Sequence, residues 1–252
     1  MKRNAKEYID IITLRRKSDA ANAVKALLAG KILVMKMGSI FGLFFNPQIP
    51  NLVDCLNKLK MREITQSLSL ICTCAQAKKI ADESRINSDF FRITPDMCRK
   101  VIVRFPIHTE LDWPFPYNTD DGSVQFQSFE ESHPILRELQ KLLYTKGCPF
   151  LSGTSGNIHG SPTVETLADA KRLAVLFNIE ASFWGLKTET IVVDIPSANG
   201  ENKGSFPIIG FSNPNAIEVK RLMNKTDREL TERYLTPLLA LQKFETPLIY
   251  TV

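Results

Sequence analysis

The chain has 252 residues and a formal net charge of +5, with 44% hydrophobic and 23% charged residues. These values are typical of a soluble globular protein that is large enough to bury a core. No apolar run approaches the length that spans a bilayer, so we expect no membrane-spanning helix. The N-terminal segment is basic but has no apolar stretch. It therefore predicts no signal peptide, and we expect a cytoplasmic protein.

Cysteine and histidine usage limits the chemistry further. The five cysteines are odd in number, have no C-x-x-C spacing and mostly lie in apolar runs, which favours a reducing compartment over a disulfide framework. The three histidines are scattered along the chain, so no zinc site is predicted. The mildly basic charge permits a nucleotide or RNA partner but does not require one.

The predicted elements, in chain order, mix strands and helices without strict alternation. Short apolar runs predict strands at 8–14, 31–37, 67–74, 99–105, 123–129, 189–195 and 205–211. Amphipathic spacing and capping residues predict helices at 18–29, 51–62, 75–84, 133–146, 163–177, 214–223 and 226–243. We therefore expect one α/β domain with a twisted, mixed parallel and antiparallel open sheet. Helices would flank this sheet, and a cleft would form where its strands end.

The stretch at 149–162, PFLSGTSGNIHGSP, begins with a short apolar run after a predicted helix end at Gly147. From Gly153 to Asn157 it becomes a loop of glycine and small hydroxyl and amide residues. Such a loop at the end of a strand lets phosphate or carboxylate oxygens approach the backbone. The same residue types also form ordinary turns, so composition by itself supports both interpretations.

Several familiar site motifs are absent. The P-loop pattern G-x-x-x-x-G-K-[ST] does not occur, and no G-x-G-x-x-G follows a predicted strand. The loop is close to G-x-S-x-G, the nucleophile motif of many hydrolases, but its fifth residue is Asn157. The only histidine after Ser155 is His159, which lies too near in sequence for the usual order of a catalytic triad. A serine hydrolase is therefore not predicted.

Three cations, Lys58, Lys60 and Arg62, lie at the end of the predicted helix 51–62. Positive side chains are favourable at a helix C-terminus, because the last carbonyl groups carry partial negative charge. A solvated helix end would explain this pattern as well as an anion-binding site would. Both interpretations stay open on this feature alone.

A series of short motifs, taken together, resembles a known family. The motifs are I-F-G-L at 40–43, K-L-K-M-R at 58–62, S-L-S-L at 67–70, T-P-D at 94–96, P-x-L-S-G-T-S-G-N at 149–157 and E-T-I-V-V-D at 189–194. Their order and spacing resemble the YrdC-like family, whose best-known activity is threonylcarbamoyl-AMP synthase. The resemblance covers residues 18–223. It leaves 1–17 as an N-terminal extension and 224–252 as a C-terminal helical tail.

The resemblance implies a nucleotidyltransferase that condenses L-threonine, or a related amino acid, with bicarbonate and ATP and releases pyrophosphate. In the family, the resulting carbamoyl-adenylate is used to form threonylcarbamoyladenosine in tRNA. Mg²⁺ would accompany the ATP, held largely by phosphates and water. The resemblance implies ATP-binding roles for Lys58, Lys60, Arg62, Ser155 and Asn157. It implies amino-acid-binding roles for Ser39, Thr154 and Thr190.

The sequence departs from the family pattern around the implied amino-acid pocket. The family's P-T-x-T is Lys36-Met37-Gly38-Ser39 here, and a family threonine corresponds to Arg99. We hypothesise that Lys36 and Arg99 face the cleft as an altered pocket. Alternatively, Lys36 caps a strand end and Arg99 lies on a sheet edge. The alternative function is a catalytically altered or inactive homologue that binds nucleotide or double-stranded RNA.

Overall fold

The computed structural model describes residues 10–37, 40–62, 68–108, 122–129, 133–196, 206–222 and 228–251. Its strands are β1 (Ile11–Thr13), β2 (Ile32–Met37), β3 (Ile40–Phe45), β4 (Ser69–Ile71), β5 (Ile102–Pro106), β6 (Ser123–Gln127), β7 (Leu151–Ser155), β8 (Thr190–Asp194), β9 (Ile208–Gly210), β10 (Ile217–Arg221) and β11 (Leu248–Tyr250). Its helices are α1 (Ala20–Leu28), α2 (Leu52–Leu59), α3 (Cys74–Ile80), α4 (Pro95–Cys98), α5 (Pro134–Thr145), α6 (Leu167–Phe183) and α7 (Arg228–Gln242). None of the helices in these ranges combines the length and the apolar character that crossing a membrane requires.

These strands form a single sheet in the order β1-β8-β2-β3-β7-β4-β6-β5-β9-β10-β11. Parallel pairs, such as β2 with β8 and β4 with β6, occur beside antiparallel pairs, such as β2 with β3 and β5 with β6. Helices pack on the sheet, as the mixture of predicted elements indicated. The predicted single α/β domain with a mixed, open sheet is therefore confirmed.

Apolar layers cover both faces of the central sheet. In β2, Val34 belongs to the core on one face, whereas its neighbours Leu33 and Met35 belong to the core on the other. The helices α1 and α5 cover the Leu33 face, and α2, α6 and α7 cover the Val34 face. Every residue of β3 is buried. The strand β3 therefore offers no exposed side chain to a ligand along its length.

Strands from both ends of the described chain extend the sheet. The strand β1 pairs in parallel with β8, and β11 pairs in parallel with β10. The first belongs to the predicted extension 1–17 and the second to the predicted helical tail 224–252, which also contains α7. Both terminal regions thus contribute strands to the same sheet as the central region.

One predicted element is wrong. The helix predicted at 214–223 is the strand β10, in which Ile217 and Val219 are buried while Glu218 and Lys220 are half-buried. Lys220 forms an ion pair with Glu218 at 2.7 Å, which places both on the outer face of the strand. This burial alternates with a period of two, as strands require. The excursion predicted at 106–122 lies mostly outside the described residues.

Candidate functional site

The last two residues of β7, Thr154 and Ser155, and the two that follow, Gly156 and Asn157, form the segment here called the TSGN loop. The loop predicted from Gly153 to Asn157 is therefore strand up to Ser155. Its Ser155 lies opposite Gly42 of β3 in the antiparallel ladder. The Gly156 amide then donates a hydrogen bond of 2.8 Å to the Phe41 carbonyl, which keeps the loop against the end of β3. A Cβ atom at Gly156 would lie 2.5 Å from the Phe41 oxygen, so this close approach requires glycine.

Lys60 supports the TSGN loop from inside the protein. It follows the last residue of α2 and is only 3% exposed. Its ammonium donates to the Ser155 carbonyl at 2.5 Å and to Thr154 Oγ1 and Asn157 Oδ1 at 3.3 Å each. An ammonium group has three N–H donors, and three loop oxygens accept them. The internal hydrogen-bonding capacity of Lys60 is therefore fully used, while its positive charge stays at the loop.

Arg62 reaches the same loop because the chain reverses at Met61, which has a left-handed φ of 53°. The Arg62 amide donates back to the Asn57 carbonyl of α2 at 3.1 Å. The Arg62 side chain donates from Nε to Asn57 Oδ1 at 2.5 Å and from Nη1 to Thr154 Oγ1 at 3.4 Å. Two buried donors, Arg62 Nη2 and Asn57 Nδ2, have no partner among the described residues. Such unsatisfied donors are uncommon in proteins, since they cost free energy.

The two cations lack a negative partner in the described part of the chain, where their hydrogen-bond acceptors are all neutral oxygens. Burial, with a smaller contribution from the nearby Arg62, lowers the pKa of the Lys60 ammonium to about 7. Burial also lowers the pKa of the Arg62 guanidinium to about 10. An anion beside both groups would favour their charged forms and raise both pKa values. The site is thus electrostatically suited to an anion.

The side chains of the TSGN loop are arranged by this pair of cations. Thr154 Oγ1 accepts hydrogen bonds from Lys60 and from Arg62, which leaves its own proton directed away from both. Ser155 Oγ donates to Asn157 Oδ1 at 2.6 Å. The structure therefore brings together five of the predicted site residues: Lys60, Arg62, Thr154, Ser155 and Asn157.

Two predicted site residues lie elsewhere. Lys58 is exposed, and its ammonium sits 5.1 Å from the ring centroid of Trp184 rather than at the TSGN loop. Thr190 is buried at the start of β8, level with Ile32, and Asn178 binds its backbone amide and carbonyl. The strands β2 and β3 lie between β8 and β7, so Thr190 is separated from the TSGN loop across the sheet. The expected grouping of Thr190 with Thr154 is therefore not found.

The two residues of the hypothesised altered pocket, Lys36 and Arg99, are not brought together either. Arg99 follows α4 and donates from Nε to Asp96 Oδ1 at 2.8 Å, so it has a local partner away from the TSGN loop. Lys36 lies opposite Phe41 in the β2–β3 hairpin and is half-buried, at the end of the sheet where the loop lies. Its role in a pocket stays a prediction. Ser39 lies outside the described residues.

Asn57 is the site residue that the sequence analysis missed. A polar residue on the buried side of an amphipathic helix was a usable signal, since Leu52, Leu56 and Leu59 of α2 are also buried. Asn57 itself is 1% exposed. Buried amides normally have hydrogen-bond partners. Its burial therefore predicts a partner, although the sequence pattern does not identify Arg62 as that partner.

Comparison with known proteins gives one sequence relative and several structures of similar fold. No model of a protein family matches the chain. The threonylcarbamoyl-AMP synthase of Photobacterium profundum is 26% identical over 155 residues, which cover 59% of this chain and 77% of the relative.

The fold matches solved structures at low sequence identity. A double variant of Sua5 from P. abyssi gives a TM-score of 0.63 at 17% identity, over 95% of this chain and 65% of that protein. Sua5 from P. abyssi complexed with L-threonine gives 0.57 at 13% identity, over 96% of this chain and 84% of that chain. YciO from E. coli gives 0.60 at 12% identity, over 85% of this chain and 95% of that protein. The present chain spans less than two thirds of the Sua5 variant, and these identities support a shared fold.

Proposed function

Because the chain is a divergent YrdC-like protein in sequence and in fold, we propose that it is a nucleotidyltransferase that acts on ATP. It would condense L-threonine, or a related amino acid, with bicarbonate and ATP into a carbamoyl-adenylate and release pyrophosphate. The product would serve the formation of threonylcarbamoyladenosine in tRNA. The name of the Photobacterium relative and the L-threonine bound in a Sua5 structure support this assignment.

The observation that carries the proposal is the pair of cations at the TSGN loop, buried Lys60 and half-buried Arg62. Lys60 and Arg62 both hydrogen-bond to Thr154 Oγ1, and their acceptors in the described chain are neutral. A buried positive charge without a counter-charge is unfavourable unless a ligand provides one. The triphosphate of ATP would supply several negative charges at this position.

The arrangement suits adenylate formation in particular. Transfer of the nucleotidyl group develops negative charge on the leaving pyrophosphate, and fixed positive groups lower the energy of that transition state. Arg62 Nη2 and the Thr154 hydroxyl proton would donate to phosphate oxygens, while Lys60 would hold the loop and supply charge. Ser155 and Asn157 fix the loop that receives the nucleotide. No side-chain nucleophile is needed, because the carbamate of the amino acid would attack the α-phosphorus.

Mg²⁺ would enter this site with the nucleotide. The described residues contain no cluster of three or more histidine, cysteine, aspartate or glutamate side chains that fits a metal ion. Phosphate oxygens and water would therefore provide the ligands of Mg²⁺, which commonly keeps several waters in nucleotide sites.

An amino-acid screen tests the proposal. Purified protein would be incubated with ATP, Mg²⁺ and bicarbonate, and pyrophosphate release would be measured for each amino acid in turn. We expect L-threonine or a similar amino acid to stimulate release, and Lys60→Met to abolish the stimulation. Lys146→Met, an exposed substitution after α5, provides the matched control and should keep full activity. Release that no amino acid stimulates would contradict the proposed reaction.

A catalytically altered homologue is the second candidate. Two placements favour it: Arg99 is paired with Asp96, and two strands separate Thr190 from the TSGN loop. Such a protein would bind nucleotide or double-stranded RNA through the retained cations without releasing pyrophosphate. ATP binding without stimulated pyrophosphate release would support it. RNA binding would be recognised by an affinity that falls steeply as salt is raised.

A further inference from the structure

Two unsatisfied donors lie next to each other in the candidate site. Asn57 Nδ2 and Arg62 Nη2 are both buried and have no partner among the described residues. They belong to one hydrogen-bonded pair, because Arg62 Nε donates to Asn57 Oδ1 at 2.5 Å. Asn57 Nδ2 is bonded to the same carbon as Asn57 Oδ1, which accepts from Arg62. The unused donors of Asn57 and Arg62 therefore lie on two side chains that are in direct contact.

We infer that Asn57 binds the anion directly, together with Arg62, through a two-donor site for one phosphate group. This inference rests on the proposed function, since it names the groups that contact the phosphates of ATP or pyrophosphate. Each phosphate oxygen carries more than one lone pair and accepts from an amide and a guanidinium at once. The charge of Arg62 favours an oxyanion over a neutral acceptor such as a sugar hydroxyl.

The partition of donors around the loop supports this assignment. The three N–H groups of Lys60 are used by Thr154, Ser155 and Asn157. Lys60 therefore contributes charge and loop geometry, and the direct hydrogen bonds to a ligand must come from other groups. Asn57 and Arg62 have donors that are not used, and both reach this region from α2 and the turn that follows it.

Gln140 of α5 offers a matched control. Its side chain is also a buried amide: Oε1 accepts from the Phe129 backbone amide at 3.2 Å, and Nε2 has no partner among the described residues. It lies with the core on the opposite face of the sheet from α2. Gln140→Leu and Asn57→Leu therefore remove comparable buried amides, of which only Asn57 is at the proposed anion site.

The experiment is a calorimetric titration of pyrophosphate into the unmutated protein and the two variants, with urea unfolding measured in parallel. Asn57→Leu should weaken pyrophosphate binding about tenfold or more, whereas Gln140→Leu should change it less than about twofold. Equal affinity in the unmutated protein and Asn57→Leu would overturn the inference and leave the proposed function intact. Absence of pyrophosphate binding by the unmutated protein would overturn both.

A second measurement on the unmutated protein covers the case in which Asn57→Leu does not fold. Side-chain amide signals in a ¹⁵N NMR spectrum report a new hydrogen bond to each amide group. Added pyrophosphate should move the Asn57 amide signals strongly and leave the Gln140 signals in place. If the Arg62 signals respond while those of Asn57 do not, Asn57 only orients Arg62 and the inference of direct contact is wrong.

Discussion

Asp89 and Lys60 are both buried charged residues, with exposures of 1% and 3%, yet their surroundings differ. Asp89 Oδ2 accepts from the Glu245 amide at 2.9 Å, the Thr246 amide at 2.8 Å and Thr246 Oγ1 at 2.7 Å, and Oδ1 lies 3.4 Å from Arg92 Nη1. The acceptors around Lys60 are neutral oxygens. A compensated buried charge fixes chain segments to each other, whereas an uncompensated one is unfavourable until a counter-charge is supplied.

The role of the Asp89 interactions is structural. Asp89 lies in the short helical segment 88–92, and its partners at 245–246 lead directly into β11. Nearby, Asn87 Nδ2 donates to the carbonyls of Asn213, Pro214 and Ala216 just before β10. These contacts hold the C-terminal strands on the sheet without leaving a carboxylate oxygen unpaired. No ligand is needed to explain this charge.

The largest expected effect follows from removing Asp89. Asp89→Ala leaves the backbone amides of Glu245 and Thr246 without their acceptor, and we expect a loss of about 3 kcal/mol in the free energy of unfolding. Urea unfolding measures this change. Asp169→Ala, which removes a partly exposed ion-pairing aspartate of α6, is the control and should have a much smaller effect. A similar loss of unfolding free energy in both variants would contradict a special structural role for Asp89.

A smaller loss is expected from Gly156→Ala in the TSGN loop. The new Cβ would lie 2.5 Å from the Phe41 carbonyl oxygen, which is backbone and cannot move aside easily. We expect a loss of about 2 kcal/mol in unfolding free energy together with weaker pyrophosphate binding. Gly153→Ala meets mainly the Phe44 ring, 3.1 Å away, so it should cost less. Equal stability of the two variants would show that the loop does not depend on this close approach.

Lys60→Met should give the opposite result to Asp89→Ala. The substitution removes a buried charge that has no counter-charge in the described chain, and methionine fills a similar volume. We expect the free energy of unfolding to stay within about 1 kcal/mol of the original value, or to rise. Urea unfolding in the absence of phosphate is the measurement. A loss comparable to that of Asp89→Ala would mean that Lys60 is primarily a structural group.

The pH dependence of stability is a second test of the buried ammonium group. The pKa of Lys60 is about 7 in the folded chain, below its ordinary value of 10.5. Between these pH values the unfolded chain binds a proton that the folded chain lacks, so the unfolding free energy should rise with pH. Unfolding curves of the original chain and Lys60→Met, compared at pH 6 to 9, should show this rise only in the original chain. Identical pH profiles would contradict the low pKa.

Sulfate binding also tests the charge of Lys60, because sulfate keeps its own charge between pH 6 and pH 9. Binding requires the ammonium form of Lys60, which becomes less populated above its pKa of about 7. We expect sulfate affinity to fall about tenfold or more between pH 6 and pH 9. Calorimetric titration at the two pH values measures this change, and equal affinities would show that Lys60 stays charged or does not influence the anion.

The sequence was informative where local pattern decides the structure. The buried strand β2 and the helix α5 follow from apolar runs and helical spacing. The resemblance to the YrdC-like family implied that Lys60 and Arg62 act together with the TSGN loop, and the structure brings these residues together. In these cases the local signal and the final packing agree.

Features that depend on distant contacts were not predicted. The three residues of β11 are only partly buried, so their place beside β10 depends on the pairing itself. The partnership of Asn57 with Arg62 depends on the left-handed turn at Met61, an uncommon conformation for a residue other than glycine. The helix wrongly predicted at 214–223 is the strand β10. In so short a segment, a few apolar residues fit both the helical and the strand periodicity, so the pattern does not distinguish the two.

The most direct test of the central claim is a calorimetric titration of ATP with Mg²⁺ into the original chain, Lys60→Met and Lys146→Met. The claim is that Lys60 and Arg62 at the TSGN loop bind an anionic ligand. It predicts that the original chain and Lys146→Met bind ATP with similar affinity, and that Lys60→Met binds at least about tenfold more weakly while remaining folded. ATP binding of equal strength in all three proteins would contradict it.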